Sequence, residues 1–264
     1  MAILLTCNSY IILVLGTLMM MIIYSYSTYC SLKLSDFCND YLCPLRGYFL
    51  HVFICAFFYS CLLQATFRLF RVVFYKLNSR KSHYSFLIGI FLQWSIAFLY
   101  ILIHLLKHEF QYTSLAYGCW ISFTNVAGLF QALIVMYVGP NLTVCLIYAY
   151  IIRYLRRNNH IQPHQQKRNG RDLIILKRIV ILVLVAMGIG IATLITFIVY
   201  IITNYLVPIA YHLQGLSVSG GFFMGSVGLA FITPQIKGIF LMKAQRITPI
   251  MAVGVTTLNV GLNN

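Results

Sequence analysis

Acidic residues are almost missing from this chain. It has 264 residues, and only four are Asp or Glu, against nineteen Lys and Arg. Charged residues make up 9% of the total, where a soluble domain carries about 25%. That scarcity excludes a disordered chain and a soluble enzyme of ordinary surface. The interiors of the apolar stretches contain no Asp or Glu. They therefore offer no proton relay and no cation-coordinating carboxylate, which argues against an aspartyl intramembrane protease, a proton-coupled transporter and a cation pump. The eight cysteines are too sparse for a disulfide scaffold, and none stands in a CxxC pair or a Cys/His cluster at zinc spacing. No catalytic constellation is visible, and the sequence calls for no cofactor or metal.

What the chain has in abundance is apolar sequence, 61% of all residues. A bilayer core needs about 20 mostly apolar residues in a helix. Six stretches meet that need, at about 3–28, 44–76, 84–106, 123–155, 172–205 and 209–240. The last two are joined by a tight turn near Asn204 to Pro208. The expectation is an all-α membrane protein, with residues 1–242 forming one helical bundle and 243–264 a short cytoplasmic tail. The first stretch lacks a basic leader and a small-residue cleavage site and is apolar for too long. It reads as a true span rather than a signal peptide. No internal repeat is visible.

The basic residues fall on one side of this arrangement. One set of connections holds Arg68, Arg71, Lys76, Arg80 and Lys81, then Arg153, Arg156, Arg157, Lys167, Arg168, Arg171, Lys177 and Arg178, then Lys237, Lys243 and Arg246. The alternate connections hold only Lys33, Arg46 and Lys107, balanced by Asp36, Asp40 and Glu109. Sixteen of the nineteen basic residues thus share a face, and the positive-inside rule assigns that face to the cytoplasm. Both termini then lie inside a multi-pass protein of the plasma membrane. The net charge of +15 becomes a topology label, and no nucleic acid is needed to explain it. The basic ends of the fourth and fifth spans also suit anionic membrane lipids.

Cys43 stands at the outer mouth of the second span, twenty-five positions before Arg68 at its inner end, in Ala65-Thr66-Phe67-Arg68-Leu69-Phe70. Cys119 lies in the next outer loop. Two cysteines on the oxidising side can form a disulfide that ties the loop to the bundle. Two free thiols are the alternative. Cys30 and Cys38 share that face and can form a second, local bridge.

This ordered set resembles the rhodopsin-like (class A) G protein-coupled receptor family. It comprises Cys43 at the top of a span, Arg68 at its bottom, Trp94 in the next span and Cys119 in the following outer loop. The fourth span adds Pro140 with Tyr148 eight residues later. The sixth ends Ile232-Thr233-Pro234-Gln235-Ile236-Lys237, where that family has Asn-Pro-x-x-Tyr, and residues 237–246 match its short amphipathic eighth helix. The resemblance implies that the six spans correspond to the family's second to seventh helices, with the first apparently absent. It further implies an extracellular ligand and a heterotrimeric G protein, with Arg68, Pro140, Tyr148 and Pro234 as coupling and switch residues.

The departures are equally specific. Thr66-Phe67 stands where the family has an acid before its arginine, and the first span has no Asp. The fifth span lacks the family's Trp and Pro and has Gly188 and Gly190 instead, and Lys237 replaces the tyrosine. They imply a divergent receptor, one with high basal activity or one that no longer signals.

The resemblance also bounds the ligand. The acid of amine receptors aligns with Leu50 and the retinal lysine with a position near Val227. The expected outer cavity is lined by Tyr48, His51, Tyr100, His104, Gln131, Tyr205, Tyr211, His212 and Gln214. It suits a peptide or a neutral small molecule. The plainer reading of each residue is an interfacial Tyr or His anchoring a helix end.

Pro140 removes a mid-span backbone hydrogen bond and predicts a bulge. Ser217, Gly221 and Gly225 predict a close packing face. Asn141-Leu142-Thr143 matches a glycosylation sequon but falls within the fourth span. Two rival functions stay open. A six-span transporter or channel predicts a repeat or matched intramembrane polar residues. A non-signalling receptor-like protein acting through heterodimerisation fits the lost motifs.

Overall fold

The computed structural model describes residues 2–33, 41–73, 79–113, 118–123, 125–158, 187–188, 190–191, 193–205 and 209–232. The second half of the fifth span and most of the sixth fall within these ranges. Residues 172–186, Cys38, Pro234, the 237–246 segment and the 243–264 tail lie outside them.

Helix α1 covers Ala2–Lys33 and ends at the first charged residue of the chain. Helix α2 covers Cys43–Val73, with Pro44 in its first turn, where a missing N–H costs nothing. Helix α3 covers Ser79–Leu106. After a hairpin, helix α4 (Val126–Ala132), a π-helical turn (Leu133–Val138) and helix α5 (Gly139–Asn158) run on as one long rod. Helix α6 covers Thr193–Thr203 and helix α7 covers Ala210–Ile232. Asn204, in the left-handed region at φ 50°, ends α6 where the turn was expected.

Among the described residues, four helical stretches are long and apolar enough to cross a membrane: 3–32, 43–73, 84–106 and 126–157. They coincide with the first four expected spans.

Helix α2 is the axis of the bundle. In its most apolar window 61% of residues are buried, against 22% in α3. Runs of consecutive buried residues, 50–53 and 55–58, show that α2 is covered on several sides, as a central helix must be. Its Leu50, Val52, Cys55, Ala56 and Phe57 pack with Ile12 and Leu13 of α1, Ala97 and Ile101 of α3, and Phe222 of α7. Lower down, Ala65 joins Val144, Tyr148, Ile151 and Leu155 of α5 in a second apolar cluster. Several large apolar side chains of α3, among them Phe91, Leu99 and Leu106, face outward, as lipid-facing residues would.

The predicted small-residue face of the sixth span packs closely at one of its positions. A Cβ on Gly225 would meet Leu13 at 3.3 Å and Phe57 at 3.4 Å. The same pair of helices touches at Gly16, where a Cβ would lie 2.7 Å from the Phe222 ring.

The described residues are mostly helical, as expected. The polar loop between the third and fourth spans carries a short β-hairpin, β1 (Phe110–Thr113) and β2 (Gly118–Ile121), antiparallel with Phe110 opposite Ile121 and Tyr112 opposite Cys119. The physical reason lies at the end of α3. His108 takes the left-handed conformation (φ 53°), and the Glu109 N–H reaches back to the His104 carbonyl at 3.1 Å while the His108 N–H bonds Leu105. This helix-ending pattern reverses the chain and aims β1 back over α2. β2 is buried along its whole length.

Candidate functional site

The hairpin end of the bundle is built around α2. Cys43 and Cys119 form a disulfide, with Cα atoms 5.4 Å apart, joining residues separated by 76 positions. Beside it, a Cβ on Gly47 would lie 2.7 Å from the Cys119 carbonyl oxygen, so glycine is what lets the strand sit directly on the helix. Cys30 is also disulfide-bonded; its expected partner, Cys38, lies outside the described residues.

Under the hairpin lies a cavity with about 550 Å³ of space, part of it open to the outside. Its walls come from α2 (His51, Ile54, Phe58), β2 (Ile121), the α4–π rod (Leu129, Leu133, Met136, Tyr137), the α6 side (Gly190, Thr193) and α7 (Gln214, Val218). Among the described residues, no charged side chain lines it. His51 is buried, and its Nδ1 donates to the Gly47 carbonyl at 2.8 Å. Its ring stands edge-on to Phe110 and Trp120 of the hairpin, at 5.1 and 6.0 Å. The Gln214 Oε1 is buried with no hydrogen-bond partner.

Of the nine residues expected to form a ligand site, His51 and Gln214 line this cavity. The others serve elsewhere. Tyr48 donates to the Phe98 carbonyl (3.3 Å) and Tyr100 to the Gln131 carbonyl (3.0 Å). Gln131 itself is exposed. Tyr211 is buried against Phe123, and its hydroxyl accepts from the Phe123 N–H at 3.5 Å. Tyr205 and His212 are exposed. His104 is 1% exposed and bonded to Glu109, with the Tyr100 ring edge-on. Glu109, which the charge balance placed in an outer loop, is itself buried. Its side chain turns back under the hairpin because the chain reverses at His108. It rests beside Gly128, where a Cβ would lie 2.6 Å from its Oε2.

At the other end, Arg68 lies near enough to Tyr148 to act on it electrostatically. Tyr148 is buried, and its hydroxyl has no hydrogen-bond partner. The two therefore share one region between α2 and α5. Thr66, in place of an acid before Arg68, bonds its own helix at the Leu62 carbonyl (2.9 Å).

Between the two ends stands the π turn, immediately before Pro140. The Gly139 N–H bonds Ile134, five residues back. In that register the Val135 carbonyl would pair with residue 140, which as proline has no N–H. The Tyr59 hydroxyl of α2 donates to it instead, at 3.4 Å. Asn141, the sequon residue, is buried within α5 and donates to the Tyr137 carbonyl at 2.9 Å. Widened turns of this kind concentrate at functional positions.

The sequence reading missed a polar cluster deep between α1, α2 and α3. Asn8 Nδ2 donates to Gln93 Oε1 (3.1 Å), Trp94 Nε1 to Asn8 Oδ1 (3.0 Å) and Gln93 Nε2 to the Ala56 carbonyl (2.9 Å). Gln64 Nε2 donates to Ser9 Oγ (2.7 Å), which also pairs with Ser60. The available signal was amide side chains inside apolar runs, which are rare enough in spans to mark interhelical contacts. The chain matches no protein-family model and no curated protein.

Proposed function

We propose that this protein is a membrane receptor of the rhodopsin-like type, sensing an extracellular ligand at the hairpin end and activating a heterotrimeric G protein at the Arg68 end. The observation that carries this reading is the double role of α2. It is the most buried helix, it holds the hairpin by Cys43 at one end, and it carries Arg68 beside Tyr148 at the other. A cavity touches its upper half, and the π turn next to Pro140 packs on its middle through Tyr59. An arrangement with two alternative packings of the fifth and sixth spans would expose Arg68 and the basic helix ends, and a ligand would act by favouring one of them. The remaining two spans, the plasma-membrane location and an inward-facing basic surface belong to the same proposal.

The test is nucleotide exchange on G proteins in membranes carrying the native chain or Arg68→Ala. The expected result is exchange, basal or ligand-driven, that the substitution removes at equal surface expression. Absence of exchange across G protein classes, with normal expression, rejects the signalling role. That outcome would favour a receptor-like partner protein.

A further inference from the structure

The geometry points to a specific ligand chemistry for the cavity under the hairpin: a neutral, compact hydrocarbon framework carrying a single hydroxyl group. The inference rests on the receptor reading only in calling the occupant a signal; the binding chemistry stands on the cavity alone.

Three observations lead to it. The walls are almost wholly apolar, with Phe58, Leu133, Met136 and Val218 among them, so a rigid hydrocarbon surface gains by leaving water. Among the described residues, no charged side chain lines the space. An ammonium or carboxylate entering it would lose hydration with nothing to replace it, which is costly. That weighs against amines, fatty acids and peptide termini alike.

The polar side chains of the lining are few: His51, Thr193, Gln214 and Tyr137, whose hydroxyl donates to the Met187 carbonyl. The Gly47 carbonyl can only accept, so His51 holds its proton on Nδ1, and the neutral ring presents a lone pair at Nε2. The Gln214 Oε1 is buried and meets no donor in the protein. A buried acceptor without a donor is costly. A ligand hydroxyl supplies the missing donor and can accept from the amide N–H₂ in return. A hydrocarbon cannot do this, and a ketone can only accept.

The experiment compares borneol, its parent hydrocarbon bornane and the corresponding ammonium, bornylamine, on the purified full chain in lipid nanodiscs, read by thermal unfolding. Borneol at saturation should raise the Tm by about 2–4 °C, and the other two by less than half of that. Gln214→Leu should weaken borneol about tenfold, the loss of one hydrogen bond, bringing it to the level of bornane. Met136→Trp, which fills the space, should abolish every probe-dependent shift. No shift with borneol, an equal or larger shift with bornylamine, or a Gln214→Leu variant that still prefers borneol to bornane would overturn the proposal. The same probe in the nucleotide-exchange assay separates the two claims. A borneol shift without exchange rejects receptor signalling and leaves the cavity assignment standing. Exchange driven by another ligand, with no borneol shift, does the reverse.

Discussion

Two polar regions lie in one bundle and are wired in opposite ways. Between α1, α2 and α3, the side chains of Asn8, Ser9, Ser60, Gln64, Gln93 and Trp94 find one another or a backbone carbonyl. Under the hairpin, the Oε1 of Gln214 finds no protein partner. In an apolar interior a polar group must be satisfied by something. Where the protein satisfies it, the group joins helices; where the protein does not, the group is available to a ligand. The same residue type, glutamine, thus has a structural role at position 93 and a candidate binding role at position 214.

The largest expected effect tests what holds the second region together. Cys43→Ser or Cys119→Ser opens a loop of 76 positions and should cost about 2–5 kcal/mol. It should be seen as reduced surface expression and a lower Tm. Native behaviour of both variants would mean that the hairpin sits on α2 without its tether.

Breaking the first region comes next. Asn8→Leu leaves the Trp94 Nε1–H and the Gln93 Oε1 without their partners. The expected loss is about 1–3 kcal/mol, read by thermal unfolding in nanodiscs. A change below about 0.5 kcal/mol, the scale of an indifferent surface substitution, would remove the distinction between the two regions.

Gly47→Ala probes the contact between hairpin and helix. Its Cβ would meet the Cys119 carbonyl, and overpacking of this kind costs about 1–3 kcal/mol. The damage should be local, with protection from hydrogen exchange lost in residues 118–121 and kept in α1 and α3. Uniform loss of protection would show that the two halves of the bundle are not independent.

The smallest effect is the most telling. Gln214→Leu removes a buried acceptor that nothing in the protein bonds, so stability should stay within about 0.5 kcal/mol or rise slightly. A large fall in Tm would place Gln214 with Gln93, as a side chain that holds the bundle.

Much of the fold was legible in the sequence because the bilayer sets a length. Twenty apolar residues between charges can do little else than form a helix, and the first four spans fell where the hydropathy put them. The bulge before Pro140 was legible for a similarly local reason, since proline has no N–H to give. The hairpin was not, because 110–121 lacks a hairpin turn dipeptide, and its strands are ordered by the reversal at His108 and by packing on α2. For the nine expected ligand residues the sequence offers only a height along each helix. Height is a one-dimensional property, whereas facing a common space depends on rotation about each axis. Tyr48 and His51, three positions apart on α2, show the difference: one bonds α3 at Phe98, and the other borders the cavity.

The sequence by itself determined the apolar helices, the one-sided distribution of basic residues, the exclusion of carboxylate chemistry from the spans, and the availability of Cys43 and Cys119 for pairing. Each is a property of a residue and its near neighbours in the chain. Only the tertiary structure decided that α2 is the axis, that Glu109 is buried against His104, that Asn8 joins Trp94 and that Gln214 is left without a partner. Those facts depend on which faces meet across helices far apart in sequence, and an apolar helix that can be buried on any side carries no local signal of the face it will use.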